Sequence, residues 1–239
     1  MDTIKFEKNA TRVIAHRGLS GIEVENTNSA FVGAGNRSYY GIETDIYRTA
    51  DGHFIVSHDN NLKRIAGVDV FVENATLAEL QDIVLFDKDG TKGRIDLRLA
   101  CLESYISICK KYEKHAILEL KSNFTLKEIE RIIEIIRDFE YIENVTFISF
   151  NYDNLLKIRE LLPTQSVQYL FWKVTPEELE RLGRDRIDAD VWCNELTKEQ
   201  IEALHSLGLK VNCWTVNEAD DGERLASWGI DFITSNILE

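Results

Sequence analysis

Short, β-branched apolar runs alternate with longer amphipathic stretches along nearly the whole chain, and this alternation constrains the fold more than any other feature. Eight strand-sized runs can be read, at 12–16, 41–47, 116–121, 145–150, 166–170, 189–192, 210–215 and 231–234. The clearest helical stretch is 125–139, where Ile129, Ile132, Ile133 and Ile136 form one stripe and Glu128, Arg131 and Glu134 face away from it. Thr125 and Glu128 have capping-box spacing at its start. Thr175-Pro176-Glu177-Glu178 and Thr197-Lys198-Glu199-Gln200 open two later helices, and Gly208 closes the second. Eight strand–helix alternations in 239 residues predict a (β/α)8 TIM barrel, a single α/β domain spanning 1–239. The alternative is a doubly wound open sheet. Its one sequence signal, Gly33-Ala34-Gly35, follows a helical stretch where a dinucleotide loop must follow a strand.

One apolar run breaks the pattern. Residues 54–57 follow the second strand across Ala50-Asp51-Gly52, and Asp-Gly between apolar runs is a hairpin signal. A hairpin partner is antiparallel, so this run cannot be the next barrel strand, which needs a long crossover. The segment 49–96 is therefore predicted to be a small insertion after the second barrel strand, folded back over the barrel mouth. It carries a short helix near 76–83 and a polar loop at 87–93.

Charge narrows the partners. The net charge is −13, so the general surface repels nucleic acid and anionic lipid. An anionic ligand must then be held locally, by a metal or a few placed cations. No apolar run is long enough for stable membrane insertion, and the first residues lack a signal-peptide pattern, so a cytoplasmic location is expected. Cys101, Cys109, Cys193 and Cys213 form no CxxC pair; three lie in apolar stretches and read as small core residues.

In such a barrel, chemistry gathers at the C-terminal ends of the strands. The first strand ends in His16-Arg17-Gly18, the second holds Glu43-Thr44-Asp45, the third holds Glu119-Leu120-Lys121, and the hairpin contributes His58-Asp59. Glu43 and Asp45 share a face, as do Glu119 and Lys121. Three carboxylates turned into one barrel mouth need a compensating cation, and Mg2+ or Ca2+ suits an all-oxygen set. His16 and His58 add acid–base capacity near neutral pH, whereas His53, His115 and His205 read as scaffold residues. Phe150 and Trp214, at strand ends, line the alcohol side of a pocket or fill a barrel layer, and the same two readings hold for Trp172 and Trp192.

Taken in order, Ala15-His16-Arg17-Gly18, Glu25-Asn26-Thr27, Gly41-Ile42-Glu43-Thr44-Asp45, Val56-Ser57-His58-Asp59, Leu62-Lys63-Arg64-Ile65-Ala66-Gly67, Leu118-Glu119-Leu120-Lys121, Trp214-Thr215-Val216-Asn217 and Gly229-Ile230-Asp231-Phe232-Ile233-Thr234 make the chain resemble the glycerophosphodiester phosphodiesterase family. The resemblance implies a metal-dependent hydrolase of glycerophosphodiesters, with a small phosphodiester as its partner molecule. It implies His16 and His58 as general acid and base, Glu43, Asp45 and Glu119 as metal ligands, and Arg17 and Lys121 as holders of the phosphate. Three segments depart from the family pattern: Val24 where proline is usual, Leu99-Ala100-Cys101, and Thr234-Ser235-Asn236-Ile237 without the usual acidic residue and proline. None coincides with a proposed ligand or histidine, so they bear on loop shape and substrate choice. Other readings are a glycosidase, which leaves both histidines and Arg17 unexplained, a phosphodiesterase for lysophospholipids or phosphoinositide headgroups, and an inactive barrel kept for binding.

Overall fold

The computed structural model describes residues 2–239. In chain order its elements begin with β1 (Arg12–Ala15), α1 (Asn28–Gly35), β2 (Gly41–Arg48), β3 (Phe54–Val56), α2 (Lys63–Ala66), α3 (Leu77–Gln81) and α4 (Leu102–Lys111). There follow β4 (His115–Leu120), α5 (Leu126–Asp138), β5 (Val145–Ser149), α6 (Tyr152–Leu161), β6 (Ser166–Phe171) and α7 (Pro176–Asp185). The last are β7 (Asp188–Trp192), α8 (Lys198–Ser206), β8 (Val211–Trp214), α9 (Ala219–Ser227) and β9 (Phe232–Ser235). The strands run β1-β9-β8-β7-β6-β5-β4-β2, all parallel, and β1 pairs with β2 to close the ring. This is the expected (β/α)8 barrel, and the open-sheet alternative falls with the closure.

Alternation along each strand divides the core in two. Ala116, Leu118 and Leu120 of β4, with Val145 and Phe147 of β5, join the main buried cluster with the helices. The intervening positions face the axis, where Ile14, Ile117, Ile148, Leu170 and Phe232 form a separate apolar plug. The helices start where the caps predicted. Thr125 and Glu128 form a reciprocal capping box on α5, and Thr197 and Gln200 do the same on α8.

The hairpin is present and sets much of the site. β3 pairs antiparallel with β2, Ile46 against Val56 and Arg48 against Phe54, and Gly52 takes the left-handed conformation in the turn. The chain thereby doubles back along β2, and Ser57 N–H donates to the Asp45 carbonyl at 3.1 Å. Ile55 of β3 and, beyond the hairpin, Leu62, Ala66, Val72, Leu80 and Leu97 belong to a buried cluster of their own.

Some details differ from expectation. β1 ends at Ala15, so His16 starts the following loop, although its N–H still reaches the Ser235 carbonyl at 2.8 Å. β4 begins at His115 rather than after it. Only Cys109 and Cys213 are buried; Cys101 and Cys193 are partly exposed because each sits where a regular element begins or ends, not inside one. Among the described residues no helix is long and apolar enough to cross a membrane.

Candidate active site

The predicted carboxylates converge. β2 and β4 are neighbours with Asp45 opposite Glu119, and Glu43 lies two residues back on the same face of β2. Oxygens of Glu43, Asp45 and Glu119 come within 4.8 Å of one another, and all three side chains are buried. Lys121 Nζ lies 3.0 Å from Glu119 Oε1 and 3.5 Å from Asp45 Oδ1. Arg17 Nε is 3.7 Å from Asp45 Oδ2. Burial, then the charges of Asp45 and Glu119, push Glu43 well above the usual carboxylate range. Burial and Asp45 push Glu119 up to about 8, against the pull of Lys121. Burial would raise Asp45 as well, but Lys121 and Arg17 outweigh it and hold it low. Two cations thus do not neutralise three buried carboxylates.

The loop after β1 explains the His-Arg-Gly triplet. Arg17 and Gly18 both have positive φ, 53° and 75°. That double left-handed turn aims the Arg17 N–H at Glu43 Oε2, 2.8 Å away. A Cβ on Gly18 would stand 2.7 Å from the Ala30 backbone carbon, which cannot yield. We expect Gly18→Ala to lower stability by about 2 kcal/mol and to displace Arg17. Chemical denaturation checks the first effect; a variant as stable as the parent would contradict it.

The two histidines flank the carboxylates. His16 Nε2 is 4.0 Å from Glu43 Oε2, and its Nδ1 is 2.7 Å from Asn236 Oδ1. An amide oxygen only accepts, so Nδ1 carries the proton and Nε2 keeps its lone pair toward the mouth. Burial and the Arg17 guanidinium lower His16 to about 4, so it is neutral at pH 7. His58 Nδ1 is 2.8 Å from Asp59 Oδ1, and burial lowers its pKa while Asp45 opposes the shift.

Arg64, on α2, ties the two sides together. Its Nε donates to Asp59 Oδ2 at 2.6 Å and its terminal nitrogens grip Glu25 at 2.7 and 3.0 Å. Glu25 in turn accepts from Arg17 at 2.9 Å. One guanidinium therefore orients the partner of His58 and the partner of Arg17. As a half-exposed ion pair it adds little stability. We expect Arg64→Ala to cut kcat/KM for a phosphodiester about tenfold, with the melting temperature almost unchanged. Steady-state kinetics on the purified variant would show an intact rate if this positioning role were wrong.

The other half of the mouth is aromatic. Phe150, Trp172, Trp192 and Trp214 stand at the ends of β5 to β8, and Trp172 packs 5.8, 5.8 and 5.0 Å from Phe150, Trp192 and Trp214. Phe150 and Trp214 line a pocket of about 120 Å³ with His16, Arg17, His58 and Glu119. Trp214 also packs on the apolar plug, so it fills a barrel layer while bordering the pocket. His53, His115 and His205 are elsewhere: His115 bonds Thr146 Oγ1 at the start of β4, and His205 bonds Asp231.

A profile of the glycerophosphoryl diester phosphodiesterase family matches residues 16–238, which include every site residue above. The chain belongs to that family. It is 29% identical over 230 residues to a glycerophosphodiester phosphodiesterase of Caldanaerobacter subterraneus, covering 95% of this chain and 94% of that one. A glycerophosphodiester phosphodiesterase structure from Parabacteroides distasonis superposes with a TM-score of 0.79 at 29% identity, covering 96% of this chain and 94% of that one. An Oleispira antarctica phosphodiesterase, solved with sn-glycerol-3-phosphate, shares the fold with a TM-score of 0.86 at 24% identity, covering 95% and 94%. The chain is thus a phosphodiesterase, and the glycosidase reading is set aside.

The phosphodiesterase site also contains residues to which motif reading gave no role. Asn26 donates to Asp45 Oδ2 at 2.8 Å and accepts from Thr44 Oγ1 at 2.8 Å, locking the carboxylate from below. Its left-handed backbone, φ 58°, is the local signal for a special role. Asn236 is the larger miss. The last-strand departure was expected to bear on loop shape and substrate choice, yet Asn236 is the hydrogen-bond partner of His16. Those residues are 220 positions apart, and only barrel closure, which seats β9 beside β1, brings them together.

Proposed function

We propose that this phosphodiesterase hydrolyses glycerophosphodiesters to glycerol 3-phosphate and an alcohol, with a divalent cation, Mg2+ or Ca2+, at Glu43, Asp45 and Glu119. The observation that carries this reading is the meeting of three buried carboxylates, two cationic side chains and two histidines at one barrel mouth. The residues fit a hard dication. Every donor is an oxygen, and Asp45 Oδ1 is buried without a hydrogen-bond partner, a costly arrangement unless something binds there. When bound, the cation would supply Lewis-acid stabilisation of a phosphoryl oxygen.

The chain's own residues account for the rest. Arg17 Nε is buried with no hydrogen-bond partner, so it retains a donor for a phosphate oxygen. Lys121, which the two carboxylates keep protonated against the effect of burial, adds a second positive charge. These groups hold the phosphodiester and favour the extra charge that develops as the bond breaks. His16 and His58 face the mouth, each with Nδ1 committed to a partner. One ring takes the proton of the attacking hydroxyl through Nε2, and the other protonates the leaving alkoxide. The aromatic half of the mouth shields that exchange from bulk water and faces the alcohol.

Glycerophosphocholine with Mg2+ or Ca2+ tests the reading. Free choline and glycerol 3-phosphate should appear in equal amounts. Glycerol and phosphocholine as products, or no turnover with either metal, would overturn it.

A further inference from the structure

Asp190 of β7 is a carboxyl that the chemistry above does not use. Its side chain is 1% exposed and its Oδ1 has no hydrogen-bond partner, yet it lines the mouth pocket beside Leu170, Trp214 and Thr234. Around the ring, β7 lies four strands from β2 in either direction, through β8, β9 and β1 or through β6, β5 and β4. Asp190 therefore sits diametrically across from Glu43 and Asp45. Its register partners are Leu170 and Asn212, which puts it level with the apolar plug, at the pocket floor.

No Lys, Arg or His side chain among the described residues forms an ion pair with Asp190. A buried carboxyl without a cation stays protonated. Burial pushes Asp190 well above the usual range, with only the Asn212 amide pulling back. A neutral carboxyl offers one O–H donor and one carbonyl acceptor, the complement of an alcohol hydroxyl and a poor match for phosphate. Thr234 Oγ1, also in the pocket lining, accepts from Asn212 Nδ2 at 3.1 Å and donates to Asn212 Oδ1 at 3.3 Å, which leaves one of its lone pairs for the same space.

We propose that Asp190 and Thr234 form a hydroxyl-recognition subsite at the pocket floor, taking a hydroxyl of the substrate's glycerol arm while Arg17 and Lys121 hold the phosphate. This rests on the glycerophosphodiester reading and extends it: the protein distinguishes a glycerol ester from a simple alkyl ester. A site built to hydrogen-bond a hydroxyl penalises a ligand that lacks one, because its own polar groups then stay unpaired.

The test compares glycerophosphocholine with ethylphosphocholine, which has no glycerol hydroxyl. The parent should favour the glycerol ester, and Asp190→Leu should lower the ratio of the two kcat/KM values by about 30-fold. Asp190→Asn, which keeps a donor and an acceptor, should retain most of the ratio. Equal losses on both esters would mean a structural role and overturn the proposal, as would an unchanged ratio in Asp190→Leu. Calorimetric binding of sn-glycerol 3-phosphate against ethyl phosphate reads the subsite without turnover. If the parent hydrolyses neither ester but binds glycerol phosphate preferentially, and Asp190→Leu loses that preference, the catalytic reading fails and the subsite stands. If the parent shows no preference in binding or turnover, the subsite falls.

Discussion

Chelation should abolish phosphodiester turnover by this protein, and added Mg2+ or Ca2+ should restore it. The expected loss is about a thousandfold or more, the scale of several kcal/mol of charge stabilisation at the phosphoryl group. The reason lies in the protonation state of the site. Burial and mutual repulsion push Glu43 well above the usual carboxylate range and Glu119 up to about 8, so both carboxyls resist carrying a charge that a dication would compensate. Cation binding would thus exchange an uncompensated cluster of buried carboxyls for a compensated one. The same exchange should raise the melting temperature in proportion to the logarithm of metal concentration above Kd. Glu119→Gln should weaken that thermal response and the rate together. Full activity after exhaustive chelation would remove the cation from the mechanism, and an unchanged metal titration in Glu119→Gln would remove Glu119 from the ligand set.

His16→Ala and His58→Ala should each lower kcat by about 10² to 10⁴, the usual contribution of a positioned acid or base. Both should keep the parental circular dichroism and melting temperature. His16 sits on the loop after β1 and His58 after β3, so neither fills the core between barrel and helices. For His16 a second readout separates chemistry from scaffolding. Asn236→Ala leaves the ring in place but frees its Nδ1, so kcat should fall less than in His16→Ala, with KM little changed. Near-parental turnover in either alanine variant would take that histidine out of the reaction.

Much of this was legible along the chain because the signals are local. The period of two along β2 and β4 placed Glu43 with Asp45 and Glu119 with Lys121 on common faces before any fold was known. Asp51-Gly52 announced an antiparallel return, and that return carries His58 to the mouth. The capping residues Thr125, Thr175 and Thr197 marked helix starts to within a residue. These features depend on neighbours a few positions apart, and steric and hydrogen-bonding rules act over that range.

The remaining features depend on closure. No local pattern pairs Arg64 with both Glu25 and Asp59, sets Asn236 against His16, or places Asp190 across the pocket from Glu43. Asp190 reads in sequence as one more acidic residue in an acidic chain, and its meaning comes from burial without a cation and with one oxygen unpaired. The sequence by itself determined which residue types face the barrel axis and which strands bear carboxylates. The tertiary structure alone decided which groups meet, because strands far apart in the chain become neighbours or opposites only once the eight-stranded ring closes, and because a charge's state follows from its solvent exposure and the company it keeps.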